Sequence, residues 1–146
     1  MARLLNEAKL ATLLIDLLTP DEEAIDLRTA HLRFDIGLLA ARLIATTDWL
    51  TQHPETQDLP IGYFGASTGA AAALVAADRP NVVGAVVSRG GRPDLAGPAL
   101  ARVQAPTLLL VGGNDLPVIE LNRAALAQLR CEKQLVIVPG ATPGAR

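Results

Sequence analysis

The chain has 146 residues, a net charge of −2 and 50% hydrophobic residues, of which few are aromatic. This length predicts one domain, residues 1–146, and the charge provides neither a basic face for nucleic acid nor a polybasic membrane anchor. The longest early aliphatic run is cut by Asp16, so we expect no transmembrane span and no secretory leader. The single cysteine, Cys131, excludes an internal disulfide framework and favours a reducing cytoplasm.

The first half of the chain predicts two helices and one strand. Residues 2–8 are typical of a short helix, and the nearly continuous aliphatic run at residues 10–17 predicts a buried strand. The charged stretch at residues 18–34 is typical of a solvent-facing excursion, in which the acidic run Asp21-Glu22-Glu23 is typical of a solvated helix start. From Asp35, a plausible N-cap, apolar residues recur at spacings of three and four, which predicts a helix that ends before Pro54.

The second half alternates short apolar runs with helical segments. We predict strands at residues 61–64, 82–87, 106–112 and 134–138, with helices after the first and third of these and a short helix at residues 95–103. Alternation of strands and helices predicts an α/β fold. The expected architecture is a three-layer sandwich with a mostly parallel sheet of about five strands.

The sequence Gly65-Ala66-Ser67-Thr68-Gly69 lies between an apolar strand and an alanine-rich helix. In that setting G-x-S-x-G predicts a nucleophile elbow, a sharp turn that exposes the serine hydroxyl at the carboxyl edge of the sheet. The glycines on both sides would remove Cβ atoms from a crowded turn. The backbone amide of Thr68 would then face a developing oxyanion. The alternative is a glycine-rich turn in which Ser67 is only a helix N-cap.

Two other loops are expected at the same edge of the sheet. One is Arg89-Gly90-Gly91-Arg92, whose guanidinium groups would hold a substrate carboxylate or phosphate, or would instead pair with Asp94 or face solvent. The other contains Asp115 after a buried strand, which suits a catalytic acid and would also suit a loop-capping aspartate.

Together these segments resemble the dienelactone-hydrolase-related branch of the α/β-hydrolases, including bacterial proteins that are sometimes fused to phosphoribosyltransferase domains. The resemblance is carried by residues 62–73, 85–97, 105–115 and 136–142, and it covers nearly the whole chain. It implies Ser67 as nucleophile, the Thr68 amide as half of an oxyanion hole and Asp115 as the acid that orients a histidine. It implies neither a metal nor an organic cofactor.

The chain departs from this family at the catalytic base. The family's histidine would follow the last strand just after Thr142, where this chain has Pro143, and no histidine occurs beyond Asp115. The two histidines present are His31, which we expect in an exposed loop and which is the alternative candidate for the base, and His53, which we expect at a helix end. A histidine of a partner chain is a further alternative. Better-known dienelactone hydrolases use cysteine in the elbow, but Cys131 is expected to be a small buried hydrophobe instead.

Relative to the family, a strand between residues 10–17 and the elbow strand is missing, as is the final helix. We therefore expect a chain shortened at both ends, with an exposed sheet edge or an uncovered apolar face that favours homo-oligomers. The alternative is that the strand at residues 10–17 pairs directly with the elbow strand and the sheet is smaller.

The sequence thus predicts a cytoplasmic serine hydrolase that acts on a small-molecule ester or lactone through an acyl-enzyme, impaired by the absence of its histidine. The main alternative is a non-catalytic binding or regulatory module of the same fold. A nucleotide-binding domain is disfavoured because neither a G-x-G-x-x-G motif nor a Walker lysine is present.

Overall fold

The computed structural model of this protein describes residues 1–142. In chain order its helices and strands are α1 (Ala2–Glu7), α2 (Pro20–Thr29), α3 (Ile36–Gln52), β1 (Ile61–Ser67), α4 (Thr68–Ala76), β2 (Val83–Gly91), β3 (Thr107–Gly112), α5 (Leu116–Gln128) and β4 (Lys133–Val138). Two 3-10 helices, Leu32–Phe34 and Pro93–Arg102, complete the described secondary structure.

The strands form one parallel sheet in the order β1-β2-β3-β4, which is also their order in the chain. The predicted α/β class is confirmed, because helices follow β1 and β3 and pack against the sheet. The number of strands is four among the described residues, not about five.

The predicted strand that does not form is the one at residues 10–17. These residues have no assigned strand or helix, and side chains that were expected to be buried are exposed, with Leu14 at 80%. An aliphatic run predicts a buried strand only where a neighbouring strand accepts its backbone hydrogen bonds. Within residues 1–142 the run has no such neighbour, and it does not pair directly with β1 either.

Helix α4 is the centre of the core. Its buried residues are small apart from one leucine: Ala70, Ala71, Ala72, Ala73, Leu74 and Ala76. The small side chains let α4 pack closely between the sheet and α3, which contacts it along its length. A hydrogen bond of 2.7 Å between the Tyr63 and Thr47 hydroxyls joins β1 to α3 inside this core.

The opposite face of the sheet is much less buried. Phe64 is 41% exposed, and Val87, Leu108 and Leu110 on the same face are partly exposed. None of the helices within residues 1–142 is both long and apolar enough to cross a bilayer.

The charged stretch at residues 18–34 is not simply a solvent-facing excursion. It contains α2, which begins with a capping box between Thr19 and Glu22. Asp26 is buried, with 3% of its surface exposed, and accepts hydrogen bonds from the Arg33 backbone N–H (3.0 Å) and Nε (2.6 Å). These pairings hold α2 against the segment that precedes α3.

Helix α3 is confirmed, and so is its start. The Asp35 carboxylate accepts a hydrogen bond of 3.0 Å from the Leu38 N–H at the first turn. Such a cap contributes about 1 kcal/mol to the stability of a helix.

An ion pair between Glu22 and Arg42 joins α2 to α3, with an Nη2–Oε1 distance of 2.6 Å. The hydrogen bond from Arg42 lowers the pKa of Glu22 from 4.5 to about 2. Because the folded-state pKa is depressed, this pair stabilises the fold above pH 4.5 and loses its contribution as the pH falls towards 2.

We expect Glu22→Gln to flatten the acid limb of the unfolding free energy between these two pH values. Urea denaturation at a series of pH values measures it. Glu23→Gln is the control, because Glu23 forms no ion pair within residues 1–142. An equal flattening in both variants would contradict the assignment.

Candidate active site

Ser67 is the last residue of β1 and immediately precedes α4. Its backbone has φ 50° and ψ −129°, a combination that costs a non-glycine residue of the order of 1–3 kcal/mol. The Ser67 residue is exposed, and its carbonyl accepts a hydrogen bond of 3.0 Å from the Arg92 N–H at the end of β2. The chain therefore maintains a strained strand-to-helix turn at this serine, which is the geometry predicted from G-x-S-x-G.

Gly65 is required by this turn. A Cβ atom at Gly65 would lie 2.5 Å from the Gly69 carbonyl oxygen and 2.7 Å from the Ala70 Cα. The second glycine of the motif differs from the prediction, since a Cβ at Gly69 would meet nothing within 4 Å. The crowding arises where the backbone of α4 passes over Gly65, so only the first glycine is needed for space.

The N-cap alternative for Ser67 is not what the structure shows. Ser67 occupies the N-cap position of α4, but its side chain makes no capping hydrogen bond. Thr68 is the first residue of α4, where backbone N–H groups lack acceptors within the helix. The positive end of the helix dipole also lies here, so an anion beside Ser67 would be stabilised.

Asp115 follows β3 and lies at the N-cap of α5, where its carboxylate accepts a hydrogen bond of 3.4 Å from the Val118 N–H. Asp115 and Ser67 line the same cavity of about 460 Å³ at the carboxyl edge of the sheet. The structure thus places the two predicted side chains at one site. The capping hydrogen bond is long, and Asp115 makes it while also lining the cavity.

The loop after β4 closes the third side of this cavity. The turn before α5 is hydrogen-bonded to it, with Gly113 N to Val138 O at 2.8 Å and Asn114 N to Ala141 O at 3.3 Å. Thr142 consequently lines the cavity together with Ser67 and Asp115. The position at which the resemblance places a histidine, residue 143, lies outside the described residues.

The two arginines of the glycine-rich turn have different surroundings. Arg89 lines the cavity beside Ser67. Arg92 instead makes two hydrogen bonds to Asp94, at 2.9 and 2.8 Å, and this pairing raises the pKa of its guanidinium. Of the predicted pair, the structure brings Arg89 to the site, while Arg92 is engaged in the alternative pairing.

Gly91 is the residue of this turn that packs against the helix after Ser67. A Cβ atom there would come within 2.4 Å of the Ala70 Cβ in α4 and 2.2 Å of the Ser88 hydroxyl oxygen. The end of β2 therefore packs directly on the elbow helix, and a larger residue at 91 would displace it.

The described histidines and the cysteine lie elsewhere. His31 is exposed and its Nδ1 is 2.7 Å from the Thr29 hydroxyl. His53 is the C-cap of α3, and its ring centroid lies 4.7 Å from that of Trp49 with the ring planes tilted by 37°. Cys131 is partly buried against the core, 3.7 Å from the Thr107 hydroxyl. Within residues 1–142 no three metal-ligating side chains come together.

Asn122 on α5 is a buried polar residue that the sequence analysis did not identify. It is fully buried, and its Nδ2 donates to the Gly91 carbonyl (3.2 Å) and to the Val118 carbonyl (2.8 Å). It therefore joins the helix that follows Asp115 to the strand end that contacts Ser67. An asparagine on an otherwise apolar helix face was the available signal.

We expect Asn122→Ala to lower the free energy of unfolding by about 2 kcal/mol, because the buried Gly91 carbonyl loses a donor. Urea denaturation measures this loss. Arg123→Ala is the control, since its exposed pair with Glu120 on the same helix should contribute under about 1 kcal/mol. Equal losses in the two variants would show that the buried hydrogen bond is not the cause.

The parallel sheet, the strand-to-helix turn at Ser67 and the position of Asp115 after β3 are the arrangement of the α/β-hydrolase fold. No family model matches the chain. Its structure is similar to a dienelactone hydrolase from Anabaena variabilis, with 67% identity, a TM-score of 0.92, and coverage of 99% of this chain and 69% of that one. The chain belongs to the dienelactone hydrolase family.

A second solved structure shares the fold, and two further proteins are related in sequence. A dienelactone hydrolase-like promiscuous phosphotriesterase from metagenomic libraries shares the fold, with 22% identity, a TM-score of 0.65, and coverage of 96% of this chain and 62% of that one. Two Mycobacterium tuberculosis proteins, each named "Putative phosphoribosyl transferase", are 60% identical over 143 residues. The match covers 97% of this chain and 31% of each relative, so the chain spans about a third of their length.

Proposed function

We propose that this chain is a serine hydrolase that acts on an ester or lactone through an acyl-enzyme. The observation that supports this most directly concerns Ser67. Its backbone is strained, its side chain makes no capping hydrogen bond, and it lines one cavity with Asp115. The family supports a hydrolase-type function, and the roles of individual residues are the proposal.

In the proposed reaction the Ser67 hydroxyl oxygen attacks the substrate carbonyl and its proton passes to a base. The resulting oxyanion is stabilised by the Thr68 N–H and the start of α4. Collapse of the tetrahedral intermediate breaks the bond to the leaving alcohol, which takes the proton from the base. Water then attacks the acyl-enzyme by the same route in reverse, releasing the acid and restoring Ser67.

The described part of the cavity contains no histidine that could act as the base. Asp115 would orient an imidazole, but neither His31 nor His53 lines the cavity, and the sequence has no third histidine. Losing one member of a triad leaves about 10³–10⁴-fold catalysis over water. We therefore propose slow turnover for the 146-residue chain.

Arg89 is the proposed substrate-binding residue. It lines the cavity with Ser67, so a carboxylate or phosphate on the substrate would meet a cation at the site. Arg92 would support the loop through Asp94 instead of contacting substrate. We propose a small-molecule substrate, no cofactor, no nucleic-acid or membrane partner, and a cytoplasmic location on the basis of the lone Cys131.

A second candidate is favoured by one observation, namely that no histidine lines the cavity among residues 1–142. A hydrolase fold without its base would still bind an ester or an acid at the same place. Such a chain would be a binding or regulatory module. Ser67 and Arg89 would then contact the ligand without chemistry.

Hydrolysis of aryl esters and of a simple aromatic lactone separates the two candidates. We expect slow hydrolysis that Ser67→Ala abolishes. Asp115→Asn should change the rate little, because neither described histidine lines the cavity for Asp115 to orient. Circular dichroism checks the fold of each variant. Hydrolysis equal in the chain and in Ser67→Ala would overturn the hydrolase proposal. Saturable binding of the product acid without turnover would support the binding module.

A further inference from the structure

A single peptide unit connects helix α5 to Ser67. The Gly91 carbonyl accepts a hydrogen bond of 3.2 Å from Asn122 Nδ2. The Arg92 N–H donates a hydrogen bond of 3.0 Å to the Ser67 carbonyl. The Gly91 carbonyl and the Arg92 N–H belong to the same peptide unit, which is planar and does not rotate about its C–N bond. A rotation of the whole unit would therefore disturb both hydrogen bonds at once.

The strand register explains why a side chain holds this unit. The register of β1 against β2 shifts by one residue after Arg89, so Ser67 lies opposite Gly91. The residue passed over, Gly90, has φ 52°. Such a bulge interrupts the regular ladder. The pairing of β2 with β3 ends at Arg89, so no residue of β3 pairs with Gly91, and Asn122 supplies the donor to its carbonyl.

The second hydrogen bond of Asn122 leads towards Asp115. Nδ2 also donates to the Val118 carbonyl at 2.8 Å, and the Val118 N–H donates to the Asp115 carboxylate at 3.4 Å. The two carbonyls use both hydrogens of Nδ2, which fixes the end of the amide that faces Gly91. Oδ1 of this fully buried residue has no hydrogen-bond partner within residues 1–142. The two donor bonds are therefore what the site requires of this side chain.

Ser67 depends on its surroundings for its conformation. Its φ of 50° and ψ of −129° persist in a non-glycine residue only where neighbouring groups fix them. The direction of its carbonyl follows ψ, and the Arg92 N–H bonds that carbonyl. A fixed Gly91–Arg92 peptide unit is thus one of the contacts that hold the strained turn.

We propose that Asn122 is a positioning residue, which keeps Ser67 in its strained conformation by holding the Gly91–Arg92 peptide unit. The same side chain contacts the first turn of α5, where Asp115 is the cap, so one residue fixes both members of the site relative to each other. Its importance for reactivity rests on the proposed function, in which Ser67 is the nucleophile. Its effect on the backbone does not.

Backbone NMR of Asn122→Leu tests this positioning without any reaction. Leucine has the same number of side-chain heavy atoms as asparagine but donates no hydrogen bond. Hydrogen exchange at the Arg92 amide, relative to the most protected core amides of the same variant, should become about tenfold faster or more, as expected for the loss of one hydrogen bond. The Ser67 Cα and Cβ chemical shifts should move as well. Unchanged exchange at Arg92 together with unchanged Ser67 shifts would overturn the proposal.

Thr47→Val is the matched control. It removes another buried side-chain hydrogen bond, whose partners are Tyr63 and Leu43 and not the Gly91–Arg92 peptide unit. Relative exchange at Arg92 should stay as in the original chain, although the whole protein loses stability. An equal change in both variants would show that Arg92 reports general destabilisation, which also overturns the proposal.

The unaltered chain decides the matter if Asn122→Leu does not fold. The side-chain amide hydrogens of Asn122 and the backbone amide of Arg92 should all exchange slowly, since each is held by a carbonyl. Slow exchange at all of them supports the proposal. Exchange at the rate of an unfolded peptide at any of them would overturn it.

Fluorophosphonate labelling connects the backbone to reactivity. We expect Asn122→Leu to slow labelling of Ser67 by about tenfold or more relative to Thr47→Val, with both variants fully folded, because a misplaced nucleophile reacts more slowly. If Ser67 is labelled in none of the chains, the proposed function fails, and the NMR result still decides the positioning. Equal labelling of the two variants, with an altered backbone at Ser67 in one, would show that Asn122 does not position the nucleophile.

Discussion

Gly65→Ala should destabilise the protein by about 3 kcal/mol or more, although it adds a single methyl group. The added Cβ would lie 2.5 Å from the Gly69 carbonyl oxygen, which is backbone and has no rotamer to move into. Relief requires α4 to shift away from β1, which distorts the turn at Ser67 that joins them. Loss of stability and loss of Ser67 reactivity should therefore occur together.

Gly69→Ala is the matched control for this prediction. It adds the same methyl group two residues beyond the serine, where a Cβ meets nothing within 4 Å. Its effect on the unfolding free energy should stay within about 1 kcal/mol, with stabilisation expected from the better helix former. Urea denaturation measures both variants, and a Gly69→Ala loss as large as that of Gly65→Ala would show that the crowding lies elsewhere.

Pro143→His should raise the rate of aryl ester hydrolysis by about 10²-fold or more, the range that a positioned general base contributes. The reason is the position of Thr142, which lines the cavity with Ser67 and Asp115. A histidine that follows it in sequence is the base that the resemblance implies. The expected pH profile gains a rising limb near neutral pH as the imidazole loses its proton.

Two further variants distinguish triad chemistry from an added surface imidazole. Combining Pro143→His with Ser67→Ala should return the rate to that of Ser67→Ala alone. Combining it with Asp115→Asn should remove most of the gain. If the gain survives both substitutions, the new histidine acts without Ser67, and the proposed arrangement of the site is wrong.

Much of the fold could be predicted because its signals are local. The periodicity from Asp35, its N-cap and the short apolar runs of β2, β3 and β4 each need only neighbouring residues to be interpreted. The elbow was predictable for the same reason. Strand, serine, glycines and helix are contiguous, and strain at Ser67 follows from their order.

The failures depend on partners that the local pattern of residues does not reveal. The run at residues 10–17 has the composition of a buried strand, but strand formation needs an adjacent edge, and within residues 1–142 none is paired to it. The charge pattern of residues 18–34 likewise does not reveal that Asp26 pairs with Arg33, seven residues further on, and is buried.

The partners of side chains within the site could not be predicted from the sequence either. Arg89 and Arg92 have the same residue type and lie three positions apart, yet Arg92 engages Asp94 while Arg89 lines the cavity. The role of Asn122 could not be predicted because its acceptor is the backbone carbonyl of Gly91, and no pattern of side chains indicates such a bond.

The central claim is that Ser67 is a nucleophile held for attack in one site with Asp115. Reaction of the Pro143→His variant with a fluorophosphonate, followed by peptide mass mapping, measures this most directly. The account predicts one adduct, on Ser67, formed far faster than in the unaltered chain and slowed by Asp115→Asn. An adduct on another residue, or labelling no faster than in the unaltered chain, would contradict it.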